Sequence, residues 1–247
     1  MTNTDNKGEC PVDHTRFAKV AGGAMPPSTA GQCPVAHDGA ASLPKDHPPV
    51  SSGLNPLNNI PLGINEGMAE GQKEKLSIER EVSTIPRGDG SNANWDYPSP
   101  QAFYNALKRK GWETSEGDVP TMVAIHNFLN EACWGEILKW EDKYHCDCKD
   151  IKLTKFQGRP NDLSPKARWM GLVHGAAKPF DRHDWTVNRC GKEVRYVIDY
   201  YSGHDEPDNP VFNVDVRPAL DSPSAVFDRF REFGITTWGR FFGGVSQ

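Results

Sequence analysis

The sequence predicts an α+β domain, with several packed helices on an antiparallel sheet, behind a long N-terminal region without regular structure. Three observations carry this expectation. Residues 1 to about 90 are rich in Pro, Gly, Ser, Asn and Ala, and no helical or strand period in them lasts a full element. Segments such as AGGAMPPSTA and KDHPPVSSG bury too little apolar surface to offset the entropy of ordering them, so this third is expected to be disordered. From Asn94 onward the aromatic density rises, and all seven Trp residues lie at or beyond Trp95. There, helical stripes come first and β-rich runs follow, which is the order of an α+β chain. The expected division is 1–90 and 91–247.

The elements follow in order. Ser99-Pro100 opens a helix, with Ser as N-cap and Pro at the first position, and the helix runs through FYNALKRK to Gly111. A longer helix is predicted from Pro120 to Lys143. Met122, Ile125, Phe128, Leu129, Ala132, Ile137 and Leu138 give it an apolar stripe. IKLTKF (151–156) reads as a strand. Ser164-Pro165 caps a third helix through ARWMGLV. WTVNRC (185–190) and EVRYVIDYY (193–201) form a hairpin about a Gly191-Lys192 turn, and VFNVDVR (211–217) adds a strand. Ser222 or Ser224 starts a last helix, AVFDRFREFG.

Composition narrows the function classes. The 247 residues carry a net charge of -5 and 36% hydrophobic residues, with a mean hydropathy of -0.65. That acidic balance disfavours nucleic acid as a partner. No run of 18 apolar residues is present, so no transmembrane helix is expected. The segment MTNTDNKGEC has neither the basic and apolar regions of a secretory signal nor the Arg-rich character of a mitochondrial presequence. The expectation is a chain without a cleaved address, whose organelle location would need an internal signal. The six cysteines do not form a dense disulfide framework.

An internal repeat stands out in the first third. Gly8-Glu9-Cys10-Pro11-Val12-Asp13-His14 matches Gly31-Gln32-Cys33-Pro34-Val35-Ala36-His37 at five of seven positions. Cys-Pro is the core of haem regulatory motifs. A thiolate is a good ligand for ferric haem iron, and proline holds the chain extended beside the sulfur. Cys10 and Cys33 are therefore candidate iron ligands, with a duplicated inert linker as the alternative. A disordered tail is a poor place to orient a reaction.

On the long helix, His126 shares a face with Met122, Leu129, Asn130 and Cys133, at offsets of -4, +3, +4 and +7. An imidazole beside Met and Leu can hold iron over an apolar macrocycle, and Asn130 or Glu131 can position the ring or a propionate. A satisfied structural histidine has the same spacing. Phe180-Asp181-Arg182-His183-Asp184-Trp185 reads as an ion-paired turn before a strand, with His183 as a general base the alternative. His145-Cys146-Asp147-Cys148 has metal-like residue types but no second pair at zinc-finger spacing. Arg189, Arg195 and Arg217 fall on predicted strands, where they can meet propionates or form salt bridges.

These segments resemble the mitochondrial holocytochrome c synthases, also called cytochrome c haem lyases. The resemblance rests on NPLNNIP (55–61), WDYPSPQAFYNAL (95–107), MVAIHNFLNEACWGEILKWE (122–141), LSPKARWM (163–170), PFDRHDW (179–185), EVRYVIDYY (193–201) and VDVRPALDS (214–222), with the two Cys-Pro-Val motifs. It implies that His126 holds the iron of haem b, the substrate. It also implies that Glu131 and Arg189 are functionally sensitive, that Trp95 and Tyr97 lie in a block facing haem or substrate, and that Cys10 and Cys33 are dispensable for synthesis. The implied reaction joins haem to the Cys-x-x-Cys-His motif of apocytochrome c through two thioethers. Apocytochrome c1 is the alternative acceptor, and a non-catalytic haem chaperone or regulator the alternative role. The implied location is the intermembrane-space face of the mitochondrial inner membrane, as a peripheral protein.

Overall fold

Local capping chemistry fixes the helix starts. In the computed structural model, which describes residues 66–203 and 212–242, the Ser99 hydroxyl accepts the Ala102 N–H at 3.2 Å and opens α1, Pro100–Arg109. Lys108 and Arg109 close its last turn, and Gly111 at φ +77° turns the chain out of the helix. Ser164 repeats the cap, accepting the Ala167 N–H at 3.1 Å at the start of α3, Pro165–His174. Between them runs α2, Val119–His145, 27 residues and about 40 Å long. The last helix, α4, spans Pro223–Phe242 and continues past Gly234, where the sequence pattern was read as ending.

Two antiparallel sheets complete the α+β architecture. A small one pairs β1, Val82–Pro86, with β2, Asn94–Asp96. The larger is a meander of four strands: β3 Ile151–Gly158, β4 Asp181–Arg189, β5 Lys192–Ser202 and β6 Phe212–Pro218. The register opposes Trp185 to Tyr196 and His183 to Ile198. Because side chains alternate along a strand, Asp181, His183, Trp185, Val187 and Arg189 then share one face with Val194, Tyr196, Ile198 and Tyr200. α2 covers that face, packing Cys133, Trp134 and Ile137 into the core with Trp185, Tyr196, Ile198 and Val216. The opposite face buries charge. Arg182 and Arg195 both reach Asp184, and Asp199 accepts from Arg217 and, at 2.6 Å, from the Ser164 hydroxyl. That last bond fastens the start of α3 to the sheet.

Several sequence expectations need correction. Residues 66–90 are structured: β1 lies among them, and Leu76 is buried against Tyr104, Val119 and Val123. Their composition hides this because β1 has a partner in β2 and a cover in α2. The hairpin turn is Cys190–Gly191, not Gly191–Lys192. Both turn residues have positive φ (45° and 92°), while Lys192 pairs with Arg189 inside the ladder. PFDRHDW is largely strand β4 rather than a turn before it. Finally, the buried face of α2 is rotated from the predicted stripe. It comprises Val123, Asn127, Asn130, Cys133, Trp134, Ile137 and Glu141, whereas Phe128 is 60% exposed. Polar residues occupy core positions there because each finds a hydrogen-bond partner. Residues 1–65, with both Cys-Pro-Val motifs and the expected disorder, lie outside the described residues.

Candidate functional site

Two turns of α2 present His126, Asn130, Glu131 and Cys133 toward β1, β2, α1 and one end of the large sheet. The His126 ring is half-buried and therefore not sealed in the core. Phe103 of α1 stands edge-on to it with centroids 5.7 Å apart, and Tyr97 does so at 6.3 Å. The Asn130 amide commits its short bond, 2.8 Å, to the His126 carbonyl and lies 3.3 Å from both ring nitrogens. Asn127 Oδ1 is 3.4 Å from Nδ1. These ring contacts are long, so neither nitrogen is strongly engaged. Burial lowers the pKa of His126; the Asn127 bond opposes this, the charge of His183 adds to it, and Asp181 opposes it. The result is a neutral imidazole, the form that ligates a metal.

Glu131 ties this end of α2 to the small sheet. It accepts the Tyr97 hydroxyl at 2.8 Å, the Thr84 N–H at 2.9 Å and the Thr84 hydroxyl. Burial, with Glu131, raises the Tyr97 phenol well above its usual pKa, so it remains a donor. On the sheet side, Tyr200 lies 3.4 Å from both Cys133 Sγ and His183 Nδ1, and His183 Nε2 is 3.1 Å from Asp181. The Asp181 partner expected for His183 is present, on a strand. Burial pushes the Cys133 thiol up to about 11, so it is not a nucleophile near neutral pH.

The other sequence candidates lie elsewhere. Trp95 is 9% exposed; its indole donates to the Leu153 carbonyl at 3.0 Å and it packs edge-on against Phe156. Its neighbour Tyr97 reaches His126, and Trp95 does not. Arg189 is not brought to His126. It is buried against Glu141, with one bond of 2.8 Å from Nη2 and a second from Nε, and Tyr196 donates to the same carboxylate at 2.7 Å. Glu141 lies fifteen residues beyond His126 on the same helix, about 22 Å away. Arg217 is likewise paired within the sheet, with Asp199. His145 binds Asp228 at 2.8 Å, and Cys148 forms a disulfide with Cys190. Among the described residues no cluster of three or more His, Cys, Asp or Glu suits a metal ion. An axial haem ligand needs only one such residue.

Sequence reasoning named Asp181 and His183 but missed Thr84, Phe103 and Tyr200, which completes an array with that pair. The array was recoverable only from the β4–β5 register, because alternation carries residues 181, 183 and 200 to the α2 face once Trp185 is set opposite Tyr196. Thr84 and Phe103 carry no comparable signal, since their partners lie far away in sequence.

Comparison with known proteins gives a consistent result. The pattern of the family described as "Cytochrome c/c1 heme lyase" matches residues 1–233. The chain is 45% identical to the holocytochrome-c synthase of Saccharomyces cerevisiae, across 90% of this chain and 93% of the relative. It is 44% identical to the holocytochrome c-type synthase of Homo sapiens, across 81% of this chain and 73% of the relative. Against a putative holocytochrome-c1 synthase of Schizosaccharomyces pombe it is 47% identical, across 59% of this chain and 69% of the relative. No solved structure matches.

Proposed function

The chain belongs to the cytochrome c/c1 haem lyase family and is a lyase that handles haem, and from that premise we propose that it attaches haem b to apocytochrome c through two thioether bonds. The observation that carries this reading is His126: a neutral, half-buried imidazole with weakly engaged nitrogens, between the edges of two aromatic rings. An imidazole in that state is a good axial ligand for haem iron.

The chemistry asks more for positioning than for a nucleophile. Each substrate thiol adds across one vinyl C=C, so that sulfur bonds to one carbon and the proton goes to its neighbour. The addition is redox-neutral, and the acceptor's own Cys-x-x-Cys-His motif supplies both sulfurs. The thiols must be reduced, since a disulfide cannot add. His126 holds the iron from one side, and the acceptor's motif histidine takes the other. Both thiols are thereby brought beneath the vinyl edges in one orientation. The Fe–His126 bond must then release for product to leave, so a bond of moderate strength suits the cycle. Glu131 keeps Tyr97 in place beside His126, and Asn130 limits the tilt of the ring. Arg189 acts here as a structural anchor for α2 through Glu141.

Apocytochrome c1 is the second reading of the acceptor, supported by the relatives named for it. The proposed location is the intermembrane-space face of the mitochondrial inner membrane, with peripheral attachment; fractionation with protease protection tests it. Activity is tested by incubating the full chain with haem, reductant and either apoprotein, then extracting with acid acetone. Haem that resists extraction is covalently attached and supports a synthase. Complete extraction from both acceptors would leave only a haem-binding role, and the ratio of rates on the two acceptors decides between c and c1.

A further inference from the structure

We infer that the outward face of α4 docks on an anionic phospholipid surface. The inference rests on the peripheral membrane reading above and names the element that makes the contact. α4 is amphipathic in the reverse of the usual sense. Its two acids reach back to the protein: Asp228 is 5% exposed and bound to His145, and Glu232 binds Lys143 at 2.5 Å and also the Tyr144 hydroxyl. Its aromatic residues face out, with Phe227, Phe230 and Phe233 at 66%, 71% and 70% exposure. Such a row, on an element anchored through the buried Asp228 and the partly exposed Glu232, is a built surface rather than a scatter of apolar residues.

Charge selects the occupant. Both acids of the first three turns are engaged with His145, Lys143 and Tyr144. The exposed Arg231 lies at the rim, with its guanidinium 5.3 Å from the Tyr144 ring centre, and Lys192 donates to Ser224 at the start of the helix. The rim is thus positive around an aromatic centre, the composition of helices that lie in a bilayer interface. A second copy in a twofold dimer would present the same positive rim to itself. An open hollow of about 500 Å³, lined by Leu220, Asp221, Pro223, Val226, Phe227 and Phe230 among others, adjoins the row; Asp221 is paired there with Arg195, and the hollow can receive part of a lipid. Among the described residues no helix is long and apolar enough to cross a membrane, so α4 would lie in the plane of the surface. Asp228 meets α2 at His145, nineteen residues and about 28 Å along the helix from His126. Docking there leaves the haem site open to the acceptor.

The test is flotation of the full chain with phosphatidylcholine vesicles, with and without phosphatidylglycerol at about one lipid in three. Wild type is expected to float with the anionic vesicles and to be released by salt. Phe227→Ser/Phe230→Ser/Phe233→Ser is expected to lose at least about ten-fold in partitioning, and Arg231→Glu several-fold on anionic vesicles only. Circular dichroism confirms that the variants are folded. Trp169→Ser/Leu172→Ser, which removes exposed apolar groups from α3 instead, is expected to float like wild type. If wild type floats and the triple Phe variant floats equally well, or if the α3 variant alone is released, the assignment to α4 is overturned while membrane contact stands. If wild type fails to float, the membrane reading itself is overturned. A triple variant that changes from dimer to monomer in sedimentation without losing flotation would assign the face to a second copy.

Discussion

The Tyr97 hydroxyl donates to Glu131 at 2.8 Å and joins β2 to the helix that carries His126. Thr84 of β1 donates twice to the same carboxylate. Glu131 therefore acts on the proposed haem site through Tyr97 and not by contact with His126. It locks the small sheet onto α2 and holds Tyr97 edge-on to the imidazole.

Removing that lock should loosen both the fold and the haem site. Tyr97→Phe deletes one bond to a charged acceptor, and a loss of about 1.5–3 kcal/mol is expected in urea denaturation. Glu131→Ala leaves Tyr97 and Thr84 without their acceptor and should cost at least as much. Both variants should retain less haem through purification than wild type. Wild-type midpoints and haem content in Glu131→Ala would show that the lock does not support the site.

Burial of His126 has a consequence for pH. Its pKa lies below the ordinary value of 6.5 in the fold. The unfolded chain therefore binds a proton at this site first as pH falls. This residue detracts nothing from stability above pH 6.5, and it destabilises progressively as pH drops from there toward its folded pKa. The same depression weakens proton competition for the ligating nitrogen. Ferric haem affinity is expected to hold level through pH 6.5 and to fall only in more acidic solution, followed by absorbance titration. A fall that sets in near pH 6.5 and approaches about ten-fold per pH unit below it would mean that the imidazole titrates as if exposed.

How much of this was legible in the sequence depended on range. Ser99 and Ser164 announce their helices because a cap is a local bond to an N–H three residues on. The β4–β5 hairpin was legible from its β-branched and aromatic runs, with the turn misplaced by one residue because a positive φ at Cys190 is unusual for a residue with a side chain. The phase of α2 was misread because Asn127, Asn130 and Glu141 are buried with distant or backbone partners such as Glu81, the His126 carbonyl and Arg189. His126 was named from the sequence only as a candidate. Its spacing alone did not separate it from a structural histidine, and the half-buried ring with long nitrogen contacts is what makes it a candidate ligand.

Arg189 offers a separable test of structure against catalysis. Arg189→Ala leaves Glu141 buried and short of its charged partner, with an expected cost of about 3–5 kcal/mol. Arg189→Met/Glu141→Leu removes both charges and should recover most of that stability, together with haem binding in the folded protein. If the double variant folds stably yet binds no haem, Arg189 does more than anchor α2.

The Cys148–Cys190 disulfide ties the segment after α2 to the β4–β5 turn across 42 residues of sequence. Cys148→Ser/Cys190→Ser should lower stability by about 2–4 kcal/mol without changing the haem spectrum, because the bond lies at the end of α2 remote from His126. Thiol counting under denaturing conditions before and after reduction checks that the bond is formed. A spectrum altered in the double Ser variant would show that the two ends of α2 are coupled.

The most direct test is the absorption spectrum of purified wild-type and His126→Ala protein, with circular dichroism to confirm the fold. Wild type is expected to carry haem with a Soret band characteristic of an imidazole ligand, and folded His126→Ala is expected to lose that band together with covalent product formation. A folded His126→Ala protein with the wild-type band and the wild-type rate of thioether formation would contradict the account.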